Sequence, residues 1–251
     1  MTDSGTLGLA AALLLLATMP VYALIGRRRA GDPDVSRRPA TVLLGHWVRD
    51  WLIWMISPLE RLFVALRVPP LAFNAAGVAL GAAAGVAYGV GDPGAGGWLV
   101  LLGGAADIFD GRIARARGLA SKAGAFLDST LDRFAETFTF AGLAVAYRAS
   151  TWGVLTTVLA LGGSLLVSYA RARGEGLGVQ FRGGLMQRAE RLVLLALASL
   201  LDPLLAARAD WPAGGLLLGM LAFIGLASLA TALHRTVAIA RALGRGETGR
   251  G

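Results

Sequence analysis

The chain has 251 residues, of which 55% are hydrophobic and 16% charged, with a mean hydropathy of +0.62. A soluble domain carries about a quarter charged residues, so this composition excludes a water-soluble globule and indicates an integral membrane protein. Cysteine is absent, which excludes disulfides, thiolate nucleophiles, sulfur-ligated metals and S-acylation.

The formal net charge is +8. In a soluble chain that value would suggest nucleic acid. In a membrane protein, basic residues gather on the cytosolic side of the spans, so no nucleic-acid partner is expected.

In chain order, a first span is predicted at 7–25. Its positive charges follow the apolar run and no small-residue cleavage site is evident, so it reads as a retained reverse-oriented anchor, not a signal peptide. A basic linker from Arg27 to Pro39, containing Gly31 and Pro33, completes an N-terminal segment at 1–42. Residues 43–67 are too polar to span. Trp47, Trp51 and Trp54 fall at i, i+4 and i+7 on one face, with Arg49, Asp50, Glu60 and Arg61 elsewhere, which predicts an interfacial amphipathic helix. Pro58 is expected to break or bend it.

Six further spans are predicted at 72–90, 97–116, 123–147, 152–173, 190–207 and 213–243, separated by turn-rich breaks such as Gly91-Asp92-Pro93-Gly94 and Asp210-Trp211-Pro212. They make a membrane domain at 68–243, followed by a polar tail at 244–251. With the basic linker inside, the external loops hold only Arg148 and Arg208. The 24 Lys and Arg minus these 2 leave 22 on or near the cytosolic side, which places the N-terminus outside and the C-terminus inside. Gly77, Gly81, Gly85 and Gly89 recur every fourth residue in the first of these spans. Such a stripe lets helices approach closely in lipid, against the neighbouring helices or against another subunit.

The chemistry concentrates in one ladder across the second and third of these spans: Asp107-x2-Asp110-Gly111-x2-Ala114-Arg115-x8-Gly124-x3-Asp128-x3-Asp132. Each carboxylate at the centre of a membrane helix costs roughly 2.5–3.5 kcal/mol on insertion scales, so four call for a compensating ligand. Asp107 and Asp110 lie at i, i+3 and Asp128 and Asp132 at i, i+4, each pair on one side of its helix. A tight reversal around 117–122 would make the two helices antiparallel neighbours and bring the pairs together. Oxygen donors alone, with only His46 and His234 elsewhere, suit Mg²⁺ or Mn²⁺ better than zinc. Two such ions clamping a diphosphate would offset the charge. Gly111 and Ala114 lack bulk where a nucleotide would approach the helix, Arg115 lies one turn on to meet an anion, and Gly124 leaves room before Asp128.

These residues match the signature of the CDP-alcohol phosphotransferases at every fixed position, and the chain is identified on them as resembling that family across 43–243. The resemblance implies a fold with a six-transmembrane-helix core, an interfacial amphipathic helix and here one extra N-terminal span. It implies an enzyme that transfers a phosphatidyl-type group from a CDP-linked lipid, CDP-diacylglycerol being expected, to an alcohol with release of CMP. By the same resemblance Asp107, Asp110, Asp128 and Asp132 bind metal, Asp132 is also the base for the attacking hydroxyl, and Asp107, Gly111, Ala114 and Arg115 line the nucleotide site. Homodimers are common in the family. One local departure is the opening of the first conserved span, where Asn74 in Pro70-Leu71-Ala72-Phe73-Asn74 stands where members often carry Pro-Asn-x-Leu-Thr.

On the acceptor side, Ser168-Tyr169-Ala170-Arg171-Ala172-Arg173-Gly174-Glu175 closes one span, and Arg188, Glu190 and Arg191 open the next. The pattern resembles the phosphatidylinositol-phosphate synthases of the family, which use inositol 1-phosphate. Carried over by position, Arg171, Arg173 and Arg191 become acceptor-phosphate contacts, since arginine binds phosphate bidentately. Glycerol 3-phosphate or an unphosphorylated alcohol are the alternative acceptors, and ordinary positive-inside flanking would explain single arginines. Alternatives of another class are a divalent-cation channel or transporter and an inactive membrane scaffold.

Overall fold

The computed structural model describes residues 17–24, 45–181, 183–209 and 211–248. Among these, the chain is helical throughout and contains no strand. Seven helices follow a short helical stretch at 17–24: α1 His46–Ala65, α2 Pro70–Gly89, α3 Pro93–Ala116, α4 Lys122–Ala146, α5 Thr151–Gly176, α6 Arg188–Arg208 and α7 Gly215–Thr248. Helices α2 to α7 coincide with the six predicted spans of the core. Three of them, at Pro70–Gly89, Thr151–Gly176 and Gly215–Arg245, are long and apolar enough by length and composition to cross a membrane. The N-terminal span predicted at 7–25 lies outside the described residues except for 17–24, and the basic linker lies outside them up to residue 44. At the other end α7 runs to Thr248, so part of the expected polar tail continues that helix.

Local chemistry fixes the helix starts. Pro70 and Pro93 open α2 and α3, where the missing N–H is no loss. The side chains of Asp92, Ser121 and Ser150 accept hydrogen bonds from the backbone N–H of Ala95 (2.9 Å), Gly124 (3.0 Å) and Gly153 (3.1 Å), satisfying donors that the first turn leaves orphaned. Gln187 and Glu190 form a capping box at the start of α6. The reversal between α3 and α4 passes through Gly118 at φ 65°, a left-handed conformation that costs glycine little.

The principal packing closes the core into a ring: α3 against α2, α2 against α4, α4 against α5, α5 against α7, α7 against α6, and α6 back against α3. The apolar core lies at the end of the ring where α2 meets α3, α4 meets α5 and α6 meets α7, and includes Tyr88, Leu143, Leu195, Leu221 and Ile224. Several buried polar groups at that end are paired. Tyr88 and Ser199 share a 2.7 Å hydrogen bond, and the buried Asp202 carboxylate accepts from the backbone N–H of Gly214, Leu216 and Leu217 at 2.7–3.2 Å. The opposite end carries the aspartate ladder.

Helix α1 lies outside the ring against α3. Ile56 packs with Phe109 and Ile113, while Glu60 accepts a 2.6 Å ion-paired hydrogen bond from Arg112 Nε. Pro58 lies inside α1 without breaking it. Pro58 cannot donate to the Trp54 carbonyl one turn back, and the Ser57 hydroxyl donates to it instead at 2.8 Å. The tryptophan face is partly covered by the 17–24 stretch: Trp51 Nε1 donates to Thr18 Oγ1 at 2.9 Å, and Tyr22 packs between Trp47 and Trp54 at ring separations of 5.8 and 5.5 Å.

The glycine stripe seats α2 on α4, within the same chain. A Cβ on Gly81 would lie 2.7 Å from the Ala135 carbonyl, one on Gly85 would overlap the Phe138 carbonyl, and one on Gly142 would overlap Gly85 itself. Gly77 has open space where a Cβ would stand. Gly142→Ala is therefore expected to push α2 off α4 and destabilise the protein by about 1–3 kcal/mol, whereas Gly77→Ala leaves the thermal midpoint in detergent unchanged. Equal midpoints for both variants would refute this account of the contact.

Candidate active site

The tight reversal brings the C-terminal turns of α3 beside the N-terminal turns of α4. Asp107, Asp110 and Asp128 each offer a carboxylate oxygen within 4.8 Å of the others. Asp110 is buried and the other two are half-buried. The Gly111 N–H donates to Asp110 Oδ1. Asp128 Oδ1 is buried and has no hydrogen-bond partner among the described residues. Converging carboxylate oxygens in a low-dielectric setting repel one another, and an orphaned anionic acceptor is costly. A cation bound among them removes both penalties, and this all-oxygen donor set fits a hard divalent ion.

Asp132, the fourth rung, stands apart from that triad. Its Oδ1 pairs with Arg188 Nη2 at 2.7 Å and its Oδ2 with Arg133 Nη2 at 3.6 Å. One turn further along α4, Glu136 is buried and accepts from Arg191 Nη2 at 2.9 Å and Nε at 3.2 Å, with Arg133 Nη1 3.6 Å from its other oxygen. Arg133 also donates to Ser168 Oγ, which ties α4 to α5. Two rungs of opposite charge thus cross between α4 and α6, with Arg133 touching both.

The nucleotide-side residues follow the helix geometry. A Cβ on Gly111 would sit 3.2 Å from Arg115 Nη1, so the missing side chain gives the Arg115 guanidinium its place. Arg115 is exposed and Ala114 is half-buried on the same stretch of α3. Gly124 faces Ser121 Oγ, 3.2 Å from where its Cβ would be, so its small size serves the helix cap. Asn74 borders a cavity between α2, α3, α4 and α6, which Asp107, Asp132, Glu136, Arg188 and Arg191 also reach.

The three acceptor-side arginines are split by the structure. Arg191 is 3% exposed and committed to Glu136. Arg171 and Arg173 are exposed on α5, where Arg171 pairs with Glu175 at 2.9 Å. Arg133 and Glu136 were not singled out from the sequence. The signal was present: Asp128, Asp132 and Glu136 recur at i, i+4 and i+8, one carboxylate per turn along one face of α4.

Fold and site together define an all-helical integral membrane protein with an acidic and a basic cluster side by side at one end of its bundle. The chain belongs to the CDP-alcohol phosphatidyltransferase family, whose model matches residues 64–233, and is a transferase of that family. It is 34% identical over 180 residues to the phosphatidylinositol phosphate synthase of Streptomyces avermitilis, covering 69% of this chain and 71% of that protein. It is 32% identical over 158 residues to the archaetidylinositol phosphate synthase of Methanothermobacter thermautotrophicus, covering 61% and 80%. Among solved structures, the phosphatidylinositol phosphate synthase of Mycobacterium tuberculosis with CDP-DAG bound matches with a TM-score of 0.63 at 27% identity, over 72% of this chain and 92% of that one. A second structure of that enzyme, in complex with manganese and citrate, matches with a TM-score of 0.64 at 26% identity, over 72% and 87%.

The Glu136–Arg191 pair makes a stability prediction. Removing one partner of a buried ion pair costs about 3–5 kcal/mol because the other charge is stranded. Glu136→Leu is expected to lower the thermal midpoint in detergent markedly, and adding Arg191→Met should restore much of it. No recovery in the double variant would refute the pairing.

Proposed function

We propose that this protein transfers a phosphatidyl-type group from a CDP-linked lipid, CDP-diacylglycerol, to a phosphorylated polyol such as inositol 1-phosphate, releasing CMP. The observation that carries this reading is the convergence of Asp107, Asp110 and Asp128 within 4.8 Å on the family's motif residues. The inositol-phosphate-synthase relatives and the basic residues of α5 and α6 favour the phosphorylated acceptor.

In this reading Asp107, Asp110 and Asp128 hold divalent cations, Mg²⁺ or Mn²⁺, with two ions expected and Asp132 able to join as a ligand. When bound, the cations supply electrostatic stabilisation of the diphosphate and of the charge that develops on transfer. Asp107, Gly111, Ala114 and Arg115 form the nucleotide side, where small residues let the cytidine diphosphate approach α3 and Arg115 meets its charge. Asp132 takes the proton of the acceptor hydroxyl. The acceptor oxygen then forms a bond to the lipid-bearing phosphorus as the bond from that phosphorus to the CMP oxygen breaks. Arg171, Arg173 and Arg191 form the basic surround for the acceptor's own phosphate, Arg171 and Arg173 at its rim and Arg191 within. The protein works as a multi-pass protein of the cytoplasmic membrane with its site on the cytosolic side. That orientation is supported by the scarcity of basic residues at the ring end remote from the aspartates, where Arg148 and Arg208 stand. A homodimer is proposed on the family resemblance.

Purified protein given Mg²⁺, CDP-diacylglycerol and inositol 1-phosphate is expected to release CMP, and to release less with glycerol 3-phosphate or free inositol. Asp107→Asn and Asp132→Asn each abolish release, by a factor of at least about 10² for the lost base, while the protein stays folded. CMP release retained in both variants would overturn the assigned roles, and preference for free inositol would overturn the acceptor.

A further inference from the structure

Helix α1 is weakly secured by its own chemistry. No side chain caps its first turn, no acidic residue stands there, and Pro58 lies inside it, so local terms do little to hold it. Its C-terminal half is fastened to the core. Phe63 of α1, Phe73 of α2 and Phe109 of α3 form a triangle of rings with centroids 5.1–5.7 Å apart, and Glu60 pairs with Arg112 at 2.6 Å. Arg117, at the start of the reversal between α3 and α4, donates to the carbonyls of Arg67 and Val68 at 3.0 Å, just past the end of α1.

The N-terminal half of α1 has a different partner. Trp51 is buried, and an indole N–H buried without an acceptor is costly. Thr18 Oγ1 supplies the acceptor at 2.9 Å. One turn on, Tyr22 packs against both Trp47 and Trp54 with tilted rings at 5.8 and 5.5 Å, within the range where aromatic pairs attract. Thr18 and Tyr22 stand at i, i+4 on the 17–24 stretch, and the tryptophans at i, i+4 and i+7 on α1, so each helix turns one face to the other. A tryptophan belt resting on lipid alone has no need of such a match. The 17–24 stretch and most of α1 precede residues 64–233, which the family model matches.

We infer that the N-terminal segment is an intramolecular brace, in which Thr18 and Tyr22 are positioning residues that act through α1 on the turn of α3 bearing Asp107 and Asp110. The route is continuous. The brace fixes the tryptophan face of α1, and α1 carries Glu60 and Phe63. These meet Arg112 and Phe109, which flank Asp110 and Gly111 in the chain. Phe73, the third ring, and its neighbour Asn74 border the cavity that Asp107 also reaches. A shift of α1 is thereby passed to α2 and α3 together, on the side where Gly111 and Ala114 lie. Fixing a site through the elements behind it is what precise positioning requires. That this side handles a nucleotide-linked lipid rests on the transferase reading above. The brace itself does not.

The absence of cysteine allows a direct test of the contact in the full-length protein. Thr18→Cys with Trp51→Cys is expected to be joined within one chain by a short bifunctional thiol reagent, whereas Thr18→Cys with Trp152→Cys, at the start of α5, is not. Hydrogen exchange then reads the transmission without turnover. Tyr22→Ala is expected to speed exchange several-fold in 46–54 and in 105–113 while 217–224 stays unchanged, and Tyr22→Phe, which keeps the ring, behaves as wild type. Thr18→Val and Trp51→Phe delete the hydrogen bond alone. They speed exchange less, in the same segments, and do not add in the double variant, so the test stands even where Tyr22→Ala does not fold. In CMP release, Tyr22→Ala is expected to raise KM for CDP-diacylglycerol several-fold and to leave KM for inositol 1-phosphate unchanged. No cross-link, unchanged exchange at 105–113 in all three single variants, or an equal rise in both KM values would overturn the inference. The expected cross-link and exchange without any CMP release from wild type defeat the transferase reading alone, and CMP release without the cross-link defeats the brace alone.

Discussion

Charge burial in an apolar bundle is the constraint from which the rest of this architecture follows. Helix α4 carries Asp128, Asp132 and Glu136 one turn apart along a face that looks into the ring. In lipid, such groups persist only where something of opposite sign meets them. The structure meets them in two different ways. Asp132 and Glu136 face arginines of α4 and α6, whereas Asp107, Asp110 and Asp128 face one another. The first arrangement is paired within the protein; the second converges as a site suited to a cation from outside.

The remaining helices read as the means of holding those two clusters in place. Close contact of α2 with α4 through Gly81, Gly85 and Gly142 fixes the acidic face of α4 relative to the cavity, since lipid supplies no hydrophobic drive to hold helices together and packing must do so. Helix α1 grips α3 from the other side, through Phe109, Ile113 and the Glu60–Arg112 pair, within a turn of Asp107 and Asp110. At the far end, Asp202 and the Tyr88–Ser199 pair lock the helix junctions. Dense apolar packing is thus segregated from the end that needs polar freedom, and rigid elements carry the site, as precise positioning requires.

Much of this was legible in the sequence because it depends on local periodicity. Hydropathy delivered the six core helices to within a few residues, and the spacing of the four aspartates placed them on the facing sides of adjacent helices. What was not legible depends on relations between helices distant in sequence. The glycine stripe of α2 is equally compatible with packing inside the chain and with packing on a second copy, and only the positions of Ala135 and Phe138 decide between them. That α1 continues through Pro58 was not legible, because the hydrogen bond from Ser57 to the Trp54 carbonyl is a three-dimensional detail. The ion pair of Arg191 with Glu136, 55 residues earlier, was not legible because the two bear no sequence relation. The ion pairs of Asp132 with Arg188 and Arg133 were not legible either, because spacing along a helix does not register which neighbour each carboxylate meets.

In the proposed reading, this difference in partners lets one short ladder serve two tasks. Asp107, Asp110 and Asp128 converge on one another and suit a hard divalent cation, whereas Asp132 is held by the guanidinium groups of Arg188 and Arg133. A proton acceptor must be oriented before it can act, and ion pairs to groups on packed helices supply that orientation. One helical turn between Asp128 and Asp132 on α4 keeps the proposed proton acceptor next to the proposed metal site.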